Sequence, residues 1–186
     1  MIPRLVLLTD RSQLTLGRGL IRTVRECAAA GLEWVVVREH DLPPPARAAL
    51  VAELATIEGL TVISSRIADD SAHGLHLAAD QPVPRESLWG RSCHSHDEVS
   101  RAADQGASWA TLSPYAASGS KPGSRTLLAA GDLVDHPVPV LALSGIGPHN
   151  AAAAVAAGAH GVAVMGAVMR AAEPAAVVAD LRAVLR

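Results

Sequence analysis

Two short apolar runs in residues 139–167 each stop at a glycine-containing end, with one predicted helix between them. The runs are residues 140–143 and 162–164, and Pro148 opens the alanine-rich segment that separates them. The residues at the two ends are Ser144, Gly145, Gly147, Met165 and Gly166. Glycine lets backbone N–H groups approach a ligand closely, and a helix N-terminus attracts a phosphate. The loops after strands 7 and 8 of a (β/α)8 barrel are the usual phosphate site, so this stretch predicts such a site. The alternative is that these glycines only serve tight turns.

Six further runs rich in Val, Leu and Ile precede this stretch, and helical segments separate most of them. The runs cover residues 5–8, 34–37, 60–63, 74–77, 90–94 and 109–112, and the helical segments 16–30, 44–57, 96–104, 126–133 and 174–185. Continuous apolar runs are typical of parallel strands that are buried on both faces. Eight strands alternating with helices favour an α/β fold, a closed (β/α)8 TIM barrel, over an open sheet.

The connections between strands 3, 4 and 5 are shorter than the rest. A parallel crossover usually takes about a dozen residues, and residues 67–73 are too few for one. Residues 84–88 allow one helical turn. We therefore predict a compact barrel with a shortened region around strands 3–5.

Composition limits the class of protein. The 186 residues are 49% hydrophobic with no shift along the chain, which predicts a single domain over 1–186. A net charge of −2 without a basic stripe argues against nucleic acid as a partner. No apolar run is long enough to span a membrane, and the start of the chain lacks the layout of a signal peptide, so we expect a cytoplasmic protein. Cys27 and Cys93 lack metal-ligand spacing, which indicates reduced thiols.

Polar residues gather where the predicted strands end, which is where barrel enzymes carry their chemistry. They are Thr9, Asp10, Arg38, Glu39, His40, Ser64, Ser65, Arg66, His76, Asp80, Ser92, His94 and Ser113, followed by the loop Ser118-Gly119-Ser120-Lys121. Arg38 and Lys121 would meet the charge of a phosphorylated ligand, and the hydroxyls of Ser118 and Ser120 would donate hydrogen bonds to it. Alternatively, Arg38 and Glu39 form an ion pair that closes the mouth, Lys121 is surface, and His76 and His94 are interior histidines with satisfied hydrogen bonds.

The order of these motifs resembles the thiamine phosphate synthase / thiazole tautomerase (TenI-like) superfamily over nearly the whole chain. The matching segments are LLTD (7–10), VVVREH (35–40), ISSR (63–66), GLHLAAD (74–80), GRSCHS (90–95), LSPYAASGSK (112–121), LALSGI (141–146) and GVAVMGA (161–167). The synthase joins a hydroxymethylpyrimidine diphosphate to a thiazole phosphate and releases pyrophosphate with magnesium. The resemblance implies that Arg38, Ser92 and Lys121 hold the diphosphate. It also implies that Ser118 and Ser120 stand for threonines of that loop, and that Gly145 and Gly166 lie by the phosphates.

Three segments depart from the synthase pattern. His40 replaces a lysine, Ser64-Ser65 replaces Asn-Asp, and Gln81 aligns with the second metal aspartate, with Asp80 one position away. Asp80 is then the remaining candidate for a magnesium ligand. The tautomerase branch lacks the metal residues too, but its acid/base histidine after strand 6 corresponds to Pro114. We hypothesise that His40 acts as a relocated general base, because a histidine at a barrel mouth can titrate near neutral pH.

The sequence therefore predicts a thiamine phosphate synthase-like transferase that uses Mg²⁺. The alternatives are a metal-independent, cofactor-free thiazole tautomerase-like isomerase and a non-catalytic binder of thiamine-pathway phosphates. In each case the ligands are small phosphorylated thiazoles or pyrimidines, and a homo-oligomer is left open. The predicted catalytic residues are Arg38, His40 and Lys121. The predicted phosphate-binding residues are Ser92, Ser118, Ser120, Ser144, Gly145, Gly147, Met165 and Gly166.

Overall fold

Eight parallel strands pair in chain order, and the last pairs with the first to close a barrel. The computed structural model describes residues 1–117, 126–129 and 131–186. The strands are β1 Leu5–Leu8, β2 Trp34–Val37, β3 Thr61–Ser65, β4 Gly74–Leu77, β5 Trp89–Cys93, β6 Trp109–Leu112, β7 Val140–Leu143 and β8 Gly161–Val164. The predicted (β/α)8 barrel is confirmed, with all eight strands within two residues of their predicted bounds.

Six helices accompany the strands in the described part of the chain. They are α1 Leu20–Ala29, α2 Pro44–Ala55, α3 His96–Asp104, α4 Ala151–Ala156, α5 Gly166–Met169 and α6 Pro174–Val184, and a single 3-10 turn spans Arg11–Gln13. Helix α2 begins at a proline, whose missing N–H would have had no partner there. Helix α3 is capped by the preceding Ser95, whose Oγ accepts a hydrogen bond from the Glu98 N–H at 3.2 Å. None of these helices is long and apolar enough to cross a membrane.

The region around strands β3–β5 is short, as predicted, because residues 66–73 and 78–88 contain no helix. The helical turn predicted at 84–88 is wrong: these residues contain no helix, and Leu88 O instead accepts from the Leu75 N–H at 3.0 Å where the chain enters β5. The helix predicted at 126–133 is absent from its described residues. The Asp132 carboxylate instead accepts a hydrogen bond from the Ala129 N–H at 2.6 Å and holds a turn.

The barrel interior is filled below its mouth by large rings. Trp34 and Trp109 meet edge to face at 6.0 Å between ring centroids, and His76 stacks on Trp109 at 4.8 Å. Gly90 makes room for Trp109, because a Cβ at Gly90 would lie 2.3 Å from the indole ring. A separate apolar layer packs the outer strand faces against the helices. The filled interior leaves the carboxyl ends of the strands as the place where a ligand can bind.

Candidate active site

Arg38 lies at the mouth of the barrel and reaches from β2 towards the end of β8. Its backbone N–H donates to Thr9 Oγ1 at 3.0 Å, which fixes the end of β2 against β1. Its Nη1 lies 2.6 Å from Met165 Sδ, next to the glycine that ends β8. The structure thus brings together Arg38, Met165 and Gly166, three residues that the sequence predicted for one site.

The alternative ion pair between Arg38 and Glu39 does not form. Glu39 is buried and faces Arg11, whose Nη1 donates to Glu39 Oε2 at 3.0 Å. The Arg11 guanidinium also donates to both carboxylate oxygens of Asp41, at 2.7 and 2.6 Å. Within the described residues no carboxylate forms an ion pair with Arg38. Its positive charge is therefore available to an anionic ligand.

His40 stands beside Arg38 and contacts the end of β3, where its Nε2 lies 3.2 Å from Ser65 Oγ. Partial burial lowers the pKa of this imidazole, and the positive charges of Arg66, Arg38 and Arg47 lower it further. A lowered pKa keeps the ring neutral at neutral pH, so that it can accept a proton. The position predicted for a general base therefore holds a neutral histidine.

Arg47 is a buried residue of this region that the sequence did not single out. Only 3% of its surface is exposed. Its Nη2 lies 3.1 Å from Val37 O, 2.9 Å from Ser64 Oγ and 3.2 Å from Ser65 O. These hydrogen bonds link the carboxyl ends of β2 and β3. Burial lowers the pKa of this guanidinium. An arginine on an amphipathic helix normally indicates a solvated face, so the sequence carries no signal for this role.

The loop after β4 is cross-linked by Gln81 and Arg91. The Gln81 side chain accepts from the Ala78 N–H at 2.8 Å and donates to Arg66 O at 2.9 Å. The buried Arg91 donates to three carbonyl oxygens of the same loop, those of Ala78, Ala79 and Gln81, at 3.2, 3.0 and 2.7 Å. These hydrogen bonds fix the segment that the resemblance assigns to the metal ligands.

Asp80, the predicted magnesium ligand, is exposed at the surface of this loop. The described residues contain no group of three or more His, Cys, Asp or Glu side chains that could hold a metal ion. Residues 118–125 and 130 add none, since they are Ser, Gly, Lys, Pro, Arg and Ala. The role of Asp80 stays a prediction.

The glycine-containing end of β7 is covered by the loop that follows β6. Ser144 Oγ donates to Ala116 O at 3.0 Å, and the Ala116 N–H donates to Ser144 O at 3.1 Å. Gly145 has φ +64°, and a Cβ there would lie 2.5 Å from Ala117 O. Close approach of this loop therefore explains the glycine without reference to a ligand.

The turn after Gly145 differs from the predicted helix start. Helix α4 begins at Ala151 rather than at Pro148. The Asn150 side chain accepts from the Gly147 N–H at 2.9 Å and donates to Gly145 O at 2.9 Å, which delays the helix. The Gly147 N–H thus has a partner within the chain. At the end of β8, Gly166 is the first residue of α5.

The remaining predicted residues fall into three groups. Ser92 lies half-buried at the end of β5. His94 Nδ1 donates to Ser113 O at 2.9 Å, and His76 is buried with a pKa that burial lowers to about 3, so both fit the interpretation as satisfied interior histidines. Ser118, Ser120 and Lys121 lie outside the described residues.

Comparison with known proteins identifies what this arrangement is similar to. A family model described as thiamine monophosphate synthase matches residues 5–168. The chain is 33% identical to a thiamine-phosphate synthase of Moorella thermoacetica, over 91% of this chain and 90% of that protein. It is 34% identical to a thiamine-phosphate synthase of Methanoculleus marisnigri, over 90% of each. A solved structure of a thiamine phosphate pyrophosphorylase from Pyrococcus furiosus superposes with a TM-score of 0.85 at 21% identity, covering 98% of this chain and 95% of that one.

Proposed function

This chain belongs to the thiamine monophosphate synthase family, as its motifs predicted, and we propose that it joins a hydroxymethylpyrimidine diphosphate to a thiazole phosphate with release of pyrophosphate. The observation that carries this proposal is that Arg38 forms no ion pair among the described residues and reaches across the mouth to Met165 after β8. An arginine that has no carboxylate partner within the described residues is suited to a phosphorylated ligand.

The proposed chemistry breaks the bond between the methylene carbon of the pyrimidine and the diphosphate oxygen. The electron pair leaves with the diphosphate, and the thiazole forms the new bond to the carbon. Negative charge grows on the leaving oxygens, so groups that donate to them more strongly in the transition state accelerate the step. We assign this role to Arg38 and Ser92, which lie at strand ends, and the resemblance extends it to Lys121, Ser118 and Ser120.

The residues present do not fit a magnesium site of the kind that the resemblance implies. Magnesium is usually held by one or two carboxylates together with substrate phosphates. Ser65 stands at the first metal position and contacts His40, and Gln81 at the second uses its amide to bridge Ala78 and Arg66. Asp80 alone is a weak substitute, and no step of the proposed reaction is routed through a metal.

The direct test is condensation of the two substrates by the purified protein, with product followed by chromatography. We expect thiamine phosphate to form, and Arg38→Gln to reduce kcat/KM by roughly 100-fold, which is the range found for loss of one charge-stabilising donor. Arg25→Gln on α1 removes the same charge from an exposed position and is the matched control. Absence of product both with magnesium and with a chelator would overturn the proposal.

A metal-independent isomerase is the second candidate, because the neutral His40 can accept a proton at a mouth where Ser65 and Gln81 stand in place of the metal carboxylates. Isomerisation of the thiazole phosphate carboxylate in the presence of a chelator, lost in His40→Gln, would select it. Binding of the phosphates with neither activity would select the non-catalytic binder.

A further inference from the structure

Arg66, one of the polar residues at the predicted strand ends, has no role assigned so far, and its backbone is held by hydrogen bonds at the end of β3. Its φ is +64°, a left-handed conformation that few residues other than glycine adopt. Its N–H donates to His76 O at 2.9 Å, and its carbonyl accepts from Gln81 Nε2 at 2.9 Å. The side chain is exposed and makes no ion pair or hydrogen bond with any residue that the structure describes.

Strand pairing places Arg66 close to Arg38. Val37 pairs with Ser64, so the residues that follow them, Arg38 and Ser65, lie at neighbouring strand ends with Arg66 next along the chain. Burial is the largest cause of the lowered pKa of both His40 and His76, and the charges of Arg38 and Arg66 lower it further, in agreement with this placement at one part of the mouth.

The carboxylates nearest in the chain are engaged elsewhere or exposed. Asp10 accepts from Ser12 and Gln13 and also interacts with the charge of Arg38, and Glu39 and Asp41 accept from Arg11. Asp69 accepts from the Ser71 N–H at 3.0 Å. Asp80 is exposed and contributes to no metal-binding cluster among the described residues. Among the described residues, therefore, none of these carboxylates forms an ion pair with Arg38 or Arg66.

The positions that the resemblance gives to metal carboxylates carry cross-links that hold the charge of Arg66 in place. Gln81, at the second metal position, bonds directly to Arg66 O and so fixes the backbone from which the guanidinium extends. Ser65, at the first, contacts His40 and has its carbonyl held by Arg47. A guanidinium is permanently charged, and its planar fork matches the oxygens of a phosphate.

We propose that Arg66 is a diphosphate-binding residue, and that Arg38 and Arg66 together replace the divalent cation, so that pyrophosphate binds to this protein without magnesium. The inference rests on the proposed function for the identity of the diphosphate and deepens it. The same residues act in two ways in this scheme: the fixed charges bind the diphosphate in the substrate, and they stabilise it as it leaves.

The test is calorimetric titration of inorganic pyrophosphate into the full chain at neutral pH and constant ionic strength, once with excess chelator and once with excess magnesium. We expect binding in the chelator to be at least as tight as in magnesium. Arg66→Asn should weaken it by about 10- to 100-fold, the range for loss of a charge-assisted hydrogen bond. Asparagine tolerates positive φ, so this variant keeps the backbone conformation. Arg66→Lys should keep part of the affinity, because it retains the charge without the fork.

The controls separate the possible failures. Arg25→Gln should bind pyrophosphate as the wild type does, since Arg25 is exposed on α1. Binding that occurs only with magnesium would overturn the inference and leave the proposed synthase intact. Unchanged affinity in Arg66→Asn, at an unchanged melting temperature, would remove Arg66 from the site. Failure to bind pyrophosphate in either medium, with condensation activity also absent, would overturn both proposals together.

Discussion

Replacement of Arg47 by methionine tests whether its buried guanidinium stabilises the ends of β2 and β3, which carry residues of the site. The substitution keeps most of the volume but removes the donor to Val37 O, Ser64 Oγ and Ser65 O. Ser65 O keeps the Ile67 N–H at 2.8 Å, and Ser64 Oγ can still donate to Ile67 O at 2.5 Å. The variant therefore loses the hydrogen bonds that Val37 O and Ser64 Oγ accept from Arg47.

Each buried acceptor left without a donor costs about 1–3 kcal/mol, and removal of a buried charge returns part of that. We expect Arg47→Met to lower the free energy of unfolding by about 2–4 kcal/mol. Unfolding entropy of about 2.1 cal/mol/K per residue gives roughly 0.4 kcal/mol/K for 186 residues, so the melting temperature should fall by about 5–10 °C.

Thermal and urea unfolding followed by tryptophan fluorescence measures this loss, because Trp34, Trp89 and Trp109 are all buried. Pyrophosphate titration measures the effect on the site, and affinity should fall because the ends of β2 and β3 that carry Arg38 and Arg66 are released. Arg25→Met, at an exposed position, should change stability by less than about 0.5 kcal/mol. A melting temperature of Arg47→Met within about 1 °C of the wild type would refute the reasoning, since 1 kcal/mol corresponds to more than that.

Two further predictions concern the barrel interior. Gly90→Ala should lower the free energy of unfolding by about 1–3 kcal/mol, measured by urea unfolding, because its Cβ would overlap the Trp109 ring; an unchanged midpoint would contradict the packing described for these rings. Acid should destabilise the protein through His76, whose pKa falls from an ordinary 6.5 to about 3 on burial. Between these pH values the unfolded chain binds more protons at this histidine than the folded chain does. The free energy of unfolding therefore falls by up to about 1.4 kcal/mol per pH unit as the pH drops below about 6.5, and this fall ends near about pH 3. His76→Gln should lose about 2 kcal/mol less than the wild type between pH 7 and about pH 5, and parallel pH profiles of urea unfolding would contradict this.

The fold followed from the sequence because parallel barrel strands are buried on both faces. Segments such as residues 34–37 and 140–143 are continuous apolar runs, and chain order then fixes which strands are neighbours. The polar residues after each run must meet at one end, so Arg38 and Met165 could be assigned to one mouth before their contact was known. Local helix signals were less reliable, because Asp132 and Asn150 use their side chains to hold turns where composition indicated helix.

The buried side chains that hold the strand ends and loops of the site in place could not be predicted in the same way. Arg47 and Arg91 are charged residues whose ordinary place is the surface, and only three-dimensional proximity to free carbonyl oxygens makes their burial favourable. The sequence showed that carboxylates are missing at Ser65 and Gln81, but an absent ligand does not reveal what replaces it. That replacement depends on the Gln81 amide reaching Arg66 O, a contact across two loops.

The short connections and the missing carboxylates lie in the same part of the barrel, and the same set of hydrogen bonds compensates for both. Strand β4 has no crossover helix on either side, so the loops at its carboxyl end need other restraints. Arg91 and Gln81 provide these through hydrogen bonds to Ala78, Ala79 and Arg66, which tie the ends of β3 and β4 together. A metal ion that joined carboxylates from the same two loops would supply an equivalent restraint together with positive charge. In this chain the restraint comes from Gln81 and Arg91, and we assign the charge to Arg66. Restoring the carboxylate at Ser65 would therefore add negative charge beside Arg66 and leave the Gln81 and Arg91 cross-links in place.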